Sequence, residues 1–167
     1  MEDRLWRIFE NINSWLHYAE RKNALILTFI GVQITLIKIF IDTLDGWLII
    51  ASLVFLGLCF LLAVFSFFPR TRISKWCFDF MVSPSDDAGE NDNLLFYGHI
   101  AKYTVREYIA KMERYLNGAI HGSRNLEDLC SQIVVNSQIA SAKFNFFKVT
   151  VWLMMIGQIL FLLSFWC

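Results

Sequence analysis

Seven side chains in one short stretch carry the chemistry to hold a phosphate-bearing ligand: Lys102, Tyr103, Arg106, Tyr108, Lys111, Arg114 and Tyr115. Ammonium and guanidinium groups neutralise phosphate oxygens, and aromatic faces stack on bases of any identity. The interleaving fits a nucleotide or a short single strand. Arg124, and Arg70 and Arg72 further upstream, complete a candidate ligand set of Lys102, Tyr103, Arg106, Lys111, Arg114, Arg124, Arg70 and Arg72. Segment 94–148 has seven Lys or Arg against four acids. Glu107 and Glu113 dilute the patch, and the same pattern also describes a solvated or headgroup-facing helix surface.

A second polar set lies in an apolar setting. Thr28, Gly31, Thr35 and Lys38 recur at heptad spacing on one side of a helix, and Asp42 and Asp45 continue the line. Copies of this stripe would line a polar pathway if several subunits assembled. Small and hydroxyl-bearing residues also serve simply to pack membrane helices, and a Lys near a helix end snorkels to the interface.

Other chemistries lack their residues. The chain has no Walker A loop, no GxGxxG opening a helix, no HExxH and no GxSxG. His17, His99 and His121 are scattered, and Cys59, Cys77, Cys130 and Cys167 form neither a CxxC pair nor a zinc set. No enzyme, metal or cofactor is expected, and the cysteines read as packing thiols.

The elements that must position these residues are set by hydropathy. The chain has 167 residues, 56% of them hydrophobic, and a formal net charge of zero. That composition suits one membrane domain with a small soluble attachment. Trp47–Phe68 contains no charge over 22 residues, long enough to cross a hydrocarbon layer about 30 Å thick as a helix. Ala24–Ile41 is a less apolar span, interrupted by Gln33 and Lys38, and Val149–Trp166 is a third. The fold class is therefore an all-α membrane protein with three transmembrane helices.

Before the spans, Leu5, Ile8, Phe9, Ile12, Trp15 and Leu16 mark an amphipathic helix within residues 1–23. Trp6, Trp15, Arg4 and Arg7 suit a helix lying on the membrane surface; the alternative is packing on the soluble part of the chain. The eight charges of Met1–Lys22 argue against a cleaved signal peptide. Residues 24–68 form a hairpin, 69–148 a soluble helical region and 149–167 the last span. Ile73–Val82 reads as an interfacial piece and the acidic Ser83–Asn93 as a mobile loop in which no ligand is expected. Leu94–Ile100 must bury itself, and Thr104 with Glu107 forms a capping box opening a helix to about Leu116. A turn at Gly118, Gly122 and Ser123 follows, and Asn125 with Asp128 opens the next helix. From Leu126 one helix of roughly 40 residues, about 60 Å, continues into the third span, where its rigidity would carry motion from soluble part to membrane. Arg21, Lys22, Arg70, Arg72 and Lys75 place the N-terminus and residues 69–148 in the cytoplasm and the C-terminus outside.

The order of these pieces resembles a known family. Glu20-Arg21-Lys22-Asn23-Ala24 entering a span, a second span ending in Pro-Arg, LLFYGHIAKYTVREYIAKM, then Asn125-Leu126-Glu127-Asp128-Leu129 leading to a last span are similar to the transmembrane effectors of bacterial nucleotide-signalling anti-phage systems. The Pycsar type and the membrane protein of the Hailong system are the forms it resembles. The resemblance implies a homo-oligomer, with a tetramer expected, that depolarises the inner membrane when a nucleotide signal changes. The signal, from a partner nucleotidyltransferase or cyclase, would be an activating cyclic nucleotide or an inhibitory single-stranded DNA oligomer. The competing expectation is a non-conducting scaffold that binds a cytoplasmic protein.

Overall fold

The computed structural model describes residues 2–40, 46–67, 89, 91–118 and 120–165. Five helices account for most of them, and no strand occurs among the described residues: α1 (Glu2–Phe40), α2 (Gly46–Phe67), α3 (Tyr97–Ile100), α4 (Val105–Leu116) and α5 (Arg124–Leu163). α1, α2 and α5 are each long and apolar enough to cross a membrane. The chain divides into two compact units. One comprises Met1–Ala19 and Arg70–Phe144, the other Glu20–Pro69 and Asn145–Cys167.

The amphipathic segment and the first span, expected as separate elements, form a single helix of 39 residues. The charged junction Glu20-Arg21-Lys22-Asn23 contains neither Gly nor Pro, and charge alone does not stop a helix whose residues have good helical propensity. Leu5, Ile8 and Ile12 are buried with Leu94, Ile100, Tyr108, Met112 and Ile133 in the core of the first unit. Packing against residues 94–133 of the first unit is thus the observed arrangement for this segment, while Trp6 stays 47% exposed.

Within that unit α4 begins with the capping box. The Thr104 N–H donates to Glu107 Oε2 at 2.8 Å, and the Glu107 N–H donates back to Thr104 Oγ1 at 3.4 Å. Val105, Tyr108, Ile109, Met112 and Leu116 recur at helical spacing and face the core. The helix ends at Asn117, whose φ of 49° lies in the left-handed region that Asn tolerates better than most side chains. The apolar run 94–100 buries Leu94 and Ile100 and supplies Tyr97 to a ring cluster with Trp15 and Phe144. α5 starts one residue before Asn125. Ser123 accepts the first helical bonds through its carbonyl, from the N–H groups of Leu126 and Glu127 at 3.0 Å each.

The second unit has the polarity of a membrane bundle. Asn23, Ser52, Ser66 and Thr150 are buried, whereas Leu25, Ile39, Trp47, Leu61, Trp152 and Ile159 are exposed. Polar side chains in such a bundle must find partners inside it. Asn23 Nδ2 donates to Ser66 Oγ at 2.6 Å, and Ser52 Oγ donates to the Gly157 carbonyl at 2.9 Å. α2 and α5 approach closely at this second bond. A Cβ at Gly157 would lie 3.2 Å from Phe55 Cβ and 3.6 Å from the Ser52 carbonyl oxygen.

The connection 41–45, Arg70 and Arg72, the interfacial piece 73–82, the acidic loop up to residue 88, and Trp166 and Cys167 lie outside the described residues. The close contact at Gly157 yields a test of the bundle. Gly157→Val should lower stability by about 1–3 kcal/mol through overpacking, measured by unfolding in mixed detergent micelles. Gly57→Ala, where an added Cβ meets nothing within 4 Å, should be neutral or slightly stabilising.

Candidate nucleotide-binding cavity

α4 has a second face besides its core face. Glu107, Ala110, Lys111 and Arg114 follow one another at spacings of three, one and three and line a cavity of about 870 Å³ with Tyr103, Tyr115 and residues 89 and 91–94. The volume falls in the range of small-molecule sites, about 300–1,000 Å³. Of the sequence candidates, Tyr103, Lys111 and Arg114 meet here. Lys102 reaches the wall indirectly, its Nζ lying 3.5 Å from Asp92 Oδ1. Arg106 falls off this face of α4, is exposed and does not line this cavity, and Arg124 at the start of α5 is likewise exposed and does not line it.

The cavity wall is held by a compact polar network. The Tyr103 hydroxyl, on an otherwise buried residue, donates to Asp92 Oδ2 at 2.8 Å and accepts from Lys111 Nζ at 2.6 Å. Lys111 also bonds the Gly89 carbonyl and sits 4.8 Å from the centre of the Tyr103 ring. The Gly89 N–H donates to Asp92 Oδ2 at 2.9 Å. Burial alone would push the Asp92 carboxyl up, but the Gly89 N–H, the Tyr103 hydroxyl and the charges of Lys102 and His99 outweigh it and hold it below its ordinary value. Burial pushes the Tyr103 phenol up, so it remains a neutral donor.

Two consequences alter the expectations from sequence. The end of the acidic loop, where no ligand was expected, supplies one wall of the cavity through Gly89, Asn91, Asp92 and Asn93. Tyr103, whose residue is only 4% exposed, is fixed by Asp92 and Lys111. Arg114 is exposed and makes no ion pair among the described residues; its Nε contacts only the Ala110 carbonyl, at 3.4 Å. Tyr115 is 57% exposed and presents the freer aromatic face.

Behind the cavity face, Cys130 is buried, and its thiol is pushed up to about 11, chiefly by burial and further by the charges of Glu113 and Glu127. The Glu113 carboxylate is held below its ordinary range by the His121 and Ile120 N–H groups, which donate to its Oε1 at 2.7 and 2.6 Å.

The second polar set lies on α1 of the membrane unit. Thr28, Gly31, Thr35 and Lys38 are all exposed, on the side opposite to the buried Ile26, Ile30, Gln33 and Ile37. Thr28 Oγ1 and Thr35 Oγ1 donate to the carbonyls of Ala24 and Gly31 at 3.2 and 3.0 Å. On the buried side, Gln33 Oε1 has no hydrogen-bond partner among the described residues.

The Asp92 network has a pH signature. A carboxyl lowered in the folded state stabilises it above the unfolded value, near 3.9, and that contribution is lost as pH falls through the folded value. Thermal unfolding from about pH 6 downward should therefore show the midpoint falling below about pH 4. Asp92→Asn should cost about 1–2 kcal/mol at neutral pH and flatten this fall; a profile identical to the unaltered chain would remove Asp92 from the network's stability.

No curated protein and no solved structure matches the chain. A family model described as the Pycsar effector protein domain matches residues 4–167, nearly the full length. Together with three helices able to cross a membrane, this match identifies the chain as a member of the Pycsar effector transmembrane family.

Proposed function

We infer from its family that this chain is an anti-phage membrane effector of a nucleotide-signalling system and not an enzyme. We propose that this chain is a homo-oligomeric ion channel of the bacterial inner membrane, a tetramer in the simplest assembly, whose conductance is set by a nucleotide in the cavity of the first unit. Conduction depolarises the membrane of the infected cell. One observation carries the reading: one unit has a cavity that sets Lys111 and Arg114 beside Tyr103 and Tyr115, with Asp92 and Glu107 also in its lining, and the other unit leaves the polar stripe of Thr28, Gly31, Thr35 and Lys38 uncovered by its own bundle. In an assembly that stripe would face the axis.

The ligand is the nucleotide product of a partner nucleotidyltransferase or cyclase, either a cyclic nucleotide that opens the assembly or a single-stranded DNA oligomer that holds it shut. Lys111 and Arg114 would bind phosphate, Tyr103 would orient Lys111, and Tyr115 would stack on a base. α1 and α5 contribute residues to both units and are the elements through which ligand binding would reach the spans. The basic residues Arg21, Lys22, Arg70 and Arg72 support a cytoplasmic cavity, with the C-terminus outside. In this orientation a ring of Lys38 side chains would favour anions.

A non-conducting scaffold competes with this reading. It is favoured by the hydroxyls of Thr28 and Thr35, which bond their own helix and so need no water. Bilayer recordings separate the two. A channel whose stripe faces the axis gives Lys38→Glu currents with reversed ion preference; unchanged selectivity removes Lys38 from the pore, and the absence of current under every nucleotide condition favours the scaffold. For the cavity, Lys111→Gln/Arg114→Gln should weaken nucleotide binding about tenfold or more, read by calorimetry on the full chain in detergent. Binding equal to that of the unaltered chain would exclude the cavity as the site.

A further inference from the structure

Among the described residues, the charged side chains lining the cavity are two cations, Lys111 and Arg114, and two carboxylates, Asp92 and Glu107. The lining is formally neutral as folded, so its net charge offers an anion no attraction. The two carboxylates are held differently. Glu107 belongs to the α4 capping box, its Oε2 accepting from the Thr104 N–H and hydroxyl at 2.8 Å each, and it cannot leave without uncapping the helix. Asp92 lies outside the helices.

Asp92 and Gly89 occupy donors that an anion would use. Asp92 Oδ2 accepts from the Tyr103 hydroxyl at 2.8 Å and from the Gly89 N–H at 2.9 Å, and Lys102 Nζ lies 3.5 Å from Oδ1. The Gly89 carbonyl accepts from Lys111 Nζ and lies 2.9 Å from the same Tyr103 hydroxyl. The Asp92 side chain is only 10% exposed in this setting. Oxygens held by two ammonium groups and a phenol present the pattern that a phosphate presents. Immediately after Asp92, the Asn93 N–H donates to His99 Nδ1 at 2.8 Å and the Leu95 N–H donates to Asn93 Oδ1 at 2.9 Å. The chain therefore stays anchored at Asn93 when Asp92 is withdrawn.

We propose that Gly89 and Asp92 are an internal stand-in for the anionic group of the ligand: without ligand they hold Lys102, Tyr103 and Lys111, and an entering phosphate displaces them and releases this end of the loop. This rests on the assignment of ligand binding to the cavity and names its regulation. Displacement takes one negative charge out of the wall and parts Lys102 from Asp92, so the cavity becomes cationic only as the ligand enters. The internal contacts lower the apparent affinity, because the binding-competent form is a fraction of the whole. Loop release is then the conformational readout of occupancy.

Inorganic pyrophosphate, titrated by calorimetry into the full chain in detergent, tests this together with hydrogen exchange at the Gly89 and Asp92 amides. Asp92→Asn keeps an acceptor for Tyr103 and removes the charge. It should bind pyrophosphate about tenfold or more tighter than the unaltered chain, although the same substitution lowers stability. In the unaltered chain, saturating pyrophosphate should speed exchange of both amides. A residue that only shapes the site gives the opposite signs, since its loss weakens binding and a ligand packed on a closed loop slows exchange. Equal or weaker binding in Asp92→Asn, or exchange that is unchanged or slower, overturns the displacement; should that variant not fold, exchange in the unaltered chain decides alone. If neither protein binds pyrophosphate, the displacement fails, while loss of nucleotide binding in Lys111→Gln/Arg114→Gln still supports the cavity. If that double variant binds pyrophosphate as the unaltered chain does, the cavity assignment fails and the displacement with it.

Discussion

A polar group withdrawn from water is costly without a partner, and this constraint acts differently in the two units. In the membrane unit Asn23, Ser52, Ser66 and Thr150 are buried beside an apolar cluster that includes Ile26, Ile30 and Leu56, and large apolar side chains are exposed. In the other unit Tyr108, Met112, Ile133 and Leu5 lie inside and Arg106, Arg114 and Asp128 outside, while Lys143 is buried. α1 meets both demands along one length. Its buried positions run from Leu5, Ile8 and Ile12 through Ala19, Asn23, Ile26, Ile30 and Gln33 to Ile37, in steps of three or four apart from the seven residues between Ile12 and Ala19.

The elements with strong local signals were legible in the residues. The uncharged run beginning at Trp47 is α2 almost to the residue, the capping box of Thr104 and Glu107 opens α4, and the uninterrupted stretch after Leu126 is a single 40-residue helix. The N-terminal segment was harder. Its apolar stripe and its flanking Trp and Arg residues satisfy a membrane surface and a protein core equally well, because both offer an apolar boundary. Only the tertiary partners, Leu94, Ile100 and Tyr108, distinguish them.

The cavity was half legible, for a similar reason. Helical spacing brings Lys111 and Arg114 together, and nothing local prevents that. The contributions of Asp92 and Gly89 come from a loop whose composition suggested only solvation, and contacts between a loop and a distant helix leave no periodic trace. Asp92 illustrates the point: its acidity repels an anion in isolation, yet here it accepts from Tyr103 and pairs with Lys102, leaving Arg114 as the less encumbered cation. Arg106 shows the reverse. Its neighbours in sequence belong to the cavity, but the helical turn directs it elsewhere.

The buried Cys130 carries one more consequence. With its thiol pushed up to about 11, the thiolate fraction at neutral pH is on the order of one in ten thousand, and the thiolate is the form that oxidants and electrophiles attack. At this position the sulfur is insulated from oxidants, which reach it only through local unfolding of the core around it.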